Sequence, residues 1–267
     1  MNSEEITEMR IPIYQIDAFT NEQFKGNPAA VCPLTEWIKD DLMQKIAAEN
    51  NLSETAFFVK KDNEYELRWF TPKGEVDLCG HATLASAYVI CTYLDENSKD
   101  INFNTQSGLL EVSKDGGLFT LAFPSREGRK CDAPEALIKG LGKVPKEVYK
   151  SRDYMAVFDT EQDILSLELN MDELKKLDGF GVIVTAKGKE VDFVSRFFAP
   201  KAGVDEDPVT GSAHCTLVPY WKNKLNKNEF VTLQLSERGG KLYCTDLGER
   251  VKMSGEAVAY LEGYINV

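Results

Sequence analysis

Side chains able to move a proton are scarce in this chain, and few of them stand where chemistry is plausible. Glu54, in "NNLSETAFFV", begins an apolar strand. Partial desolvation there raises a carboxylate's pKa toward neutrality, although a solvated strand end is the simpler alternative. Asp207, in "DEDPVTGS", belongs to an acidic run that reads as a wet turn, yet Pro208 fixes an extended entry that can aim it at a helix start. Cys79 immediately precedes a helix, where a thiol's pKa falls; it reads equally as a buried, inert thiol. His81 is either a ligand-binding residue at a helix terminus or a satisfied core histidine, and His214, one turn into its helix, reads as structural. With only these two histidines and no close His/Cys/Asp grouping, the spacing predicts no metal site.

A repeated phrase suggests how such residues are brought together. "RWFTPKGEVD" (68–77) recurs as "RFFAPKAGVD" (196–205), with Arg, Phe, Pro, Lys, Val and Asp each shifted by 128 positions. Three extra residues in the second copy align Cys79-Gly80-His81-Ala82 with Thr210-Gly211-Ser212-Ala213. The order of elements around the two copies also matches, which points to internal duplication; two similar strand-to-helix turns are the alternative. A helix that begins Gly-small-small exposes unpaired N–H groups at the positive end of its dipole, a setting that binds carboxylates or phosphates. Two equivalent halves would aim two such termini at one cleft. Thr210, opposite Cys79, is too weak an acid or base for a symmetric two-thiol reaction.

The elements that must hold this cleft follow from local pattern. "IPIYQIDAF" reads as a strand closed by the turn signal at 26–28, and Thr35 as the cap of a helix running to about Glu49, with Ile38, Leu42 and Ile46 on one face. "ETAFFV" and "YELRWF" are strands. The helix over 82–94 is apolar almost all round and must be wrapped by other structure. A hairpin turns at Asp115-Gly116. The polar stretch 124–134 reads as a linker. Beyond it come a strand around "YMAVF", a helix over "MDELKKL", strands "GVIVTA" and "VDFVSRFFA", a small-residue helix from Gly211, and a strand-like tail.

Bulk properties exclude several function classes. The net charge is −12, with Lys and Arg scattered among carboxylates, so nucleic acid is not an expected partner. The polar, acidic start is no secretory signal, and no apolar run approaches a membrane span. A cytoplasmic protein is expected. Six dispersed cysteines without a C-x-x-C pair read as free thiols.

Five ordered motifs, "IDAFTNEQFKGNPAAV", "NLSETAFF", "FTPKGEVDLCGHATLA", "DEDPVTGSAH" and "SERGGKL", together resemble the PhzF-like isomerase family of phenazine biosynthesis, over about Ile11 to Val267. The resemblance implies an α/β fold of the diaminopimelate epimerase type: two pseudo-symmetric halves, each a curled mixed sheet around a central helix, with the site between them. It places 1–123 and the returning strand 257–267 in one half, and 124–256 in the other. It further implies Glu54 as acid/base carboxylate, with His81, Asp207 and Ser212 holding substrate and assisting proton movement. The amides around Gly80 and Ala82, and around Thr210, Gly211 and Ala213, would receive the substrate's carboxylate. No metal, no organic cofactor and a homodimer are expected on the same ground. The expected activity is isomerisation of a small carboxylic acid by proton transfer. An amino-acid racemase and an inactive anion-binding protein are the alternatives, and the substrate is open because chemistry outlasts substrate within a fold.

Overall fold

The two copies of the repeated phrase fold alike. In the computed structural model, which describes residues 9–267, Arg68 grips Glu75 through Nε and Nη2, both at 2.7 Å. Arg196 grips Glu206 through the same two nitrogens at 2.8 and 2.9 Å. Such bidentate forks fix the turn that follows each strand. In the second copy a single tight turn at Pro200–Ala202 lies between Arg196 and Glu206.

The first copy sits among β1 (Arg10–Ala18), β2 (Asn27–Leu34), α1 (Asp40–Asn50), β3 (Glu54–Lys61), β4 (Glu64–Thr71), β5 (Gly74–Val76), α2 (Gly80–Val89), β6 (Asp100–Thr105), β7 (Gly108–Asp115) and β8 (Leu118–Pro124). The second sits among β9 (Arg129–Lys130), α3 (Glu135–Leu141), β10 (Glu147–Lys150), β11 (Tyr154–Val157), α4 (Glu161–Leu165), α5 (Met171–Leu174), β12 (Val182–Lys187), β13 (Phe193–Phe198), α6 (Gly211–Leu225), β14 (Glu229–Gln234), β15 (Gly240–Asp246) and β16 (Arg250–Gly255). A last strand, β17 (Ala257–Asn266), lies antiparallel along β1.

Strand pairing repeats the duplication. β2 runs parallel to β3, β3 antiparallel to β4, and β4 parallel to β6, with β7 and β8 following antiparallel. β11 to β16 repeat that series of directions step for step. The halves join where β8 and β16 pair antiparallel about Leu121 and Met253, making one continuous sheet. Each half wraps its sheet around one helix. In β4 the side chains of Tyr65, Leu67 and Trp69 alternate inward, as a sheet with one packed face requires. Eight of the ten residues of α2 are buried, and α6 is buried through most of its length. Neither has a wet side to present.

Several local expectations need correction. Thr35 caps nothing: residues 27–34 form β2, buried between β1 and β3, and the helix starts only at Asp40 behind an uncapped Lys39. Its buried face is Met43, Ile46 and Ala47, and Ile38 lies outside it. The helix from Gly80 ends at Val89 and passes into a wider π-type turn over Ile90–Leu94. The stretch 124–134 is no free linker, because β9 pairs with β10.

Candidate active site

The start of β3, the start of α2 and the turn before α6 meet between the halves. Glu54, the first residue of β3, pairs with Ala29 on β2 and projects Oε2 to 3.2 Å from Nε2 of His81. The contact is not aligned as a hydrogen bond: both atoms are buried and neither has a hydrogen-bond partner among the described residues. Their side chains are 18 % and 7 % exposed, so the carboxylate keeps a path to solvent while the imidazole does not. On the far side of the ring, Nδ1 lies 3.5 Å from Sγ of Cys79.

Burial opposes charge on His81, but Cys79 and Glu54 outweigh it and hold the imidazole's pKa well above its ordinary value. Burial, reinforced by Glu54, pushes the Cys79 thiol up to about 11. The thiol therefore stays protonated near neutrality, and the expectation of a lowered pKa at the helix start fails because desolvation exceeds the helix dipole's effect.

Glu54, Cys79 and His81 offer ligand-type atoms that all lie within 4.8 Å of one another. Sequence spacing missed this grouping because Glu54 comes from a different strand. The imidazole stands between thiol and carboxylate, one ring nitrogen toward each. That is the geometry of a relay, whereas a metal tripod needs its lone pairs to converge on one point.

Asp207 comes from the other half and is held differently. Oδ1 accepts a hydrogen bond from Asn27 Nδ2 at 2.8 Å, and Oδ2 accepts one from the Thr210 hydroxyl. Burial raises its pKa to about 6; Glu54 adds to the shift and His81 opposes it. Those mutual effects place Asp207 within electrostatic reach of both. Gln234 holds the same turn, donating to the Asp207 carbonyl at 2.7 Å and accepting from the Thr210 N–H at 2.8 Å. Asn27 and Gln234 escaped the sequence reading. Asn27 looked like part of a turn signal, and its role appears only when β2 reaches a residue 180 positions away.

Neither α2 nor α6 has a side-chain cap, so the first-turn N–H groups from Gly80 and Gly211 are not covered by one. Ala82 is buried in the first turn of α2. Ala213 is buried, with its N–H directed at the Thr210 carbonyl at 3.3 Å. Ser212 does not join the Glu54–His81 pair by any hydrogen bond; its hydroxyl accepts one from Arg152 Nη2 at 3.1 Å. His214 is structural: Nδ1 meets the Thr210 carbonyl at 2.9 Å, and burial lowers its pKa to about 4.

The "SERGGKL" motif stitches the halves together beside this site. Arg238 binds Asp17 at 2.7 Å and the Gly26 carbonyl at 2.9 Å, and Ser236 donates to the Pro208 carbonyl at 2.8 Å. Gly240 is obligatory, since a Cβ there would fall 2.3 Å from Val209 Cγ2.

The chain resembles known proteins from end to end. The family described as "Phenazine biosynthesis-like protein" (PhzC-PhzF) matches residues 16–263. The chain belongs to the PhzC/PhzF family. An uncharacterized isomerase of Pseudomonas aeruginosa is 48 % identical over 97 % of this chain and 100 % of its own. A bovine phenazine biosynthesis-like domain-containing protein is 41 % identical over 96 % of this chain and 99 % of its own. Among solved structures, a PhzF-family protein of Enterococcus faecalis superposes with a TM-score of 0.95 at 45 % identity, covering 97 % of this chain and 100 % of the other. A PhzC/PhzF protein of Clostridium difficile gives a TM-score of 0.92 at 49 % identity, covering 96 % and 100 %. A hydroxyproline epimerase of Agrobacterium vitis, with 8 % identity and a TM-score of 0.63 over 97 % of this chain and 93 % of its own, shares the fold alone. PhzF-family proteins therefore carry the paired-half architecture seen here.

Proposed function

We propose that this PhzF-family protein is an isomerase that moves a proton within a small carboxylic acid, with Glu54 as the single acid/base group. The asymmetry of the two halves supports this most strongly. Thr55 pairs with Phe70 and Val182 with Phe198, the equivalent phenylalanine of the repeated phrase. Glu54 thus corresponds to Gly181, just as Cys79 corresponds to Thr210. One half supplies a base and the other supplies none at the matching places. A racemase that removes a proton from one face and returns it from the other needs a group on each side; a proton shift along one face needs only one.

In this reading the substrate carboxylate lies against the uncapped starts of α2 and α6. Glu54 takes a proton from a carbon next to that carboxylate, and the C–H electrons move into the adjoining π system. The negative charge that collects on the carboxylate oxygens is met by backbone N–H groups. His81, with Nε2 3.2 Å from Glu54 Oε2, stands beside the base and can share its proton. Glu54, whose side chain keeps a path to solvent and so exchanges the proton it has taken, then delivers a proton to a second carbon, so the reaction is redox-neutral and needs no organic cofactor. Asp207, with both oxygens already engaged, orients the turn and Thr210.

Incubating a library of small carboxylic acids with the protein in heavy water tests this reading. Deuterium should enter the carbon skeleton of at least one acid, with a shifted double bond and no inversion by chiral chromatography. Inversion of an amino acid's stereocentre would instead establish a racemase, and ligand binding without any exchange an inactive binder.

A further inference from the structure

A second group of charged residues lies beside the start of α6. Arg152, in the turn between β10 and β11, reaches Asp153 Oδ2 through Nη2 at 2.9 Å, and the same nitrogen donates to Ser212 Oγ at 3.1 Å. Its guanidinium sits 4.6 Å from the centre of the Phe180 ring. Asp153 is 1 % exposed, whereas the Arg152 side chain is 33 % exposed. Arg126, from the segment after β8, approaches the same helix: its backbone N–H donates to the Cys215 carbonyl at 2.8 Å. Both arginines act electrostatically on the Cys215 thiol, one turn along α6 from Ser212, as does Asp153.

The charges in this group do not balance. Arg152 is already paired with Asp153, whereas the buried Nη1 of Arg126 has no hydrogen-bond partner among the described residues. Buried arginine nitrogens are normally paired, because a desolvated donor without an acceptor is costly. The planar fork matches a carboxylate in shape as well as charge. In a chain of net charge −12, an uncompensated cation at this place calls for a specific anion.

Position along the repeat gives that anion a role. Ser212 occupies the place in the second half that His81 occupies in the first. One helix start thus presents the imidazole beside the base, and the other presents a hydroxyl bound to an arginine. We propose that Arg126 and Arg152, together with Ser212, form a subsite for a second carboxylate of the substrate, so that the acid isomerised here is a dicarboxylate. This rests on the isomerase reading above.

Calorimetric titration tests it with matched pairs of probes, glutarate against valerate and adipate against hexanoate. The wild-type protein should bind at least one dicarboxylate on the order of tenfold or more tighter than its monocarboxylate partner, the range of a charge-assisted hydrogen bond. Arg126→Met should abolish that preference with little change in melting temperature, since Nη1 has no partner to lose; Arg126→Lys should restore part of it. Arg152→Met is less suitable because it strands the buried Asp153. Equal affinities within every pair, or a preference undiminished in a folded Arg126→Met protein, would overturn the subsite. Glu54→Gln should keep the preference. Failure of proton exchange alongside a preserved preference would therefore sink the isomerase reading and leave the subsite standing.

Discussion

Glu54 and Asp207 share a cleft, and their neighbours give them different tasks. Asp207 has both oxygens engaged by Asn27 and Thr210, whereas Oε2 of Glu54 has only an off-axis approach to His81. A carboxylate free to turn toward a ligand is the better base. Glu54 stood out in the sequence as a carboxylate opening an apolar strand, but local pattern alone favoured a solvated strand end, and the family motif supplied the acid/base expectation. Asn27 and Gln234 were not, because each acts only through a long-range contact. Cys79 gives a prediction at this scale. Its pKa of about 11 keeps it a thiol, and its partner position holds Thr210. Cys79→Ser should hold turnover within about tenfold, well short of the roughly 10²- to 10⁴-fold that a general base contributes. A loss of that larger size in a folded variant would restore a two-base racemase.

The helix α6 and the turn before it carry two groups whose titrations oppose one another. His214 is neutral in the folded protein, with a pKa lowered to about 4 by burial. Its contribution to stability is present above the unfolded value near 6.5 and is lost as pH falls through about 4, a change of about 3 kcal/mol. Asp207, raised to about 6 by burial, works in the other direction. Its contribution is present below the unfolded value near 3.8 and is lost as pH rises through about 6, again about 3 kcal/mol. Between pH 4 and 6.5 the two nearly cancel. Melting temperatures over that range should make this visible: His214→Gln should gain stability on acidification, and Asp207→Asn should lose it. Identical pH profiles for both variants and wild type would contradict the assignment. The sequence revealed that α6 is buried, since small and apolar residues surround its axis. It could not reveal where α1 begins, because the strand pairing of β2 overrode a local capping signal at Thr35.

At the scale of the whole molecule, the repeated phrase already foretold two halves, and the matching series of strand directions bears that out. What no local pattern could supply is the junction, where β8 meets β16 across about half of the chain's length. Among the described residues, β17 pairs on one side only, with β1, and it exposes Tyr260, Leu261 and Tyr264. Leu261 and Tyr264 line a groove of about 350 Å³ with Ile13 and Leu52. A long apolar edge left unpaired invites a partner, and we propose that a second copy covers it. Light scattering should give twice 29.9 kDa, with Tyr264→Lys reverting to one chain; a wild-type monomer at working concentrations would refute this. The cleft remains the central claim, and the exchange rate of a bound acid's C–H protons with heavy water, compared between wild type and Glu54→Gln, addresses it most directly. Glutamine keeps the shape and removes the basic oxygen, so ligand affinity should stay within a few-fold while exchange falls by roughly 10² to 10⁴. Exchange at the wild-type rate in Glu54→Gln, with its loss in Asp207→Asn, would contradict the account and move the acid/base role across the cleft.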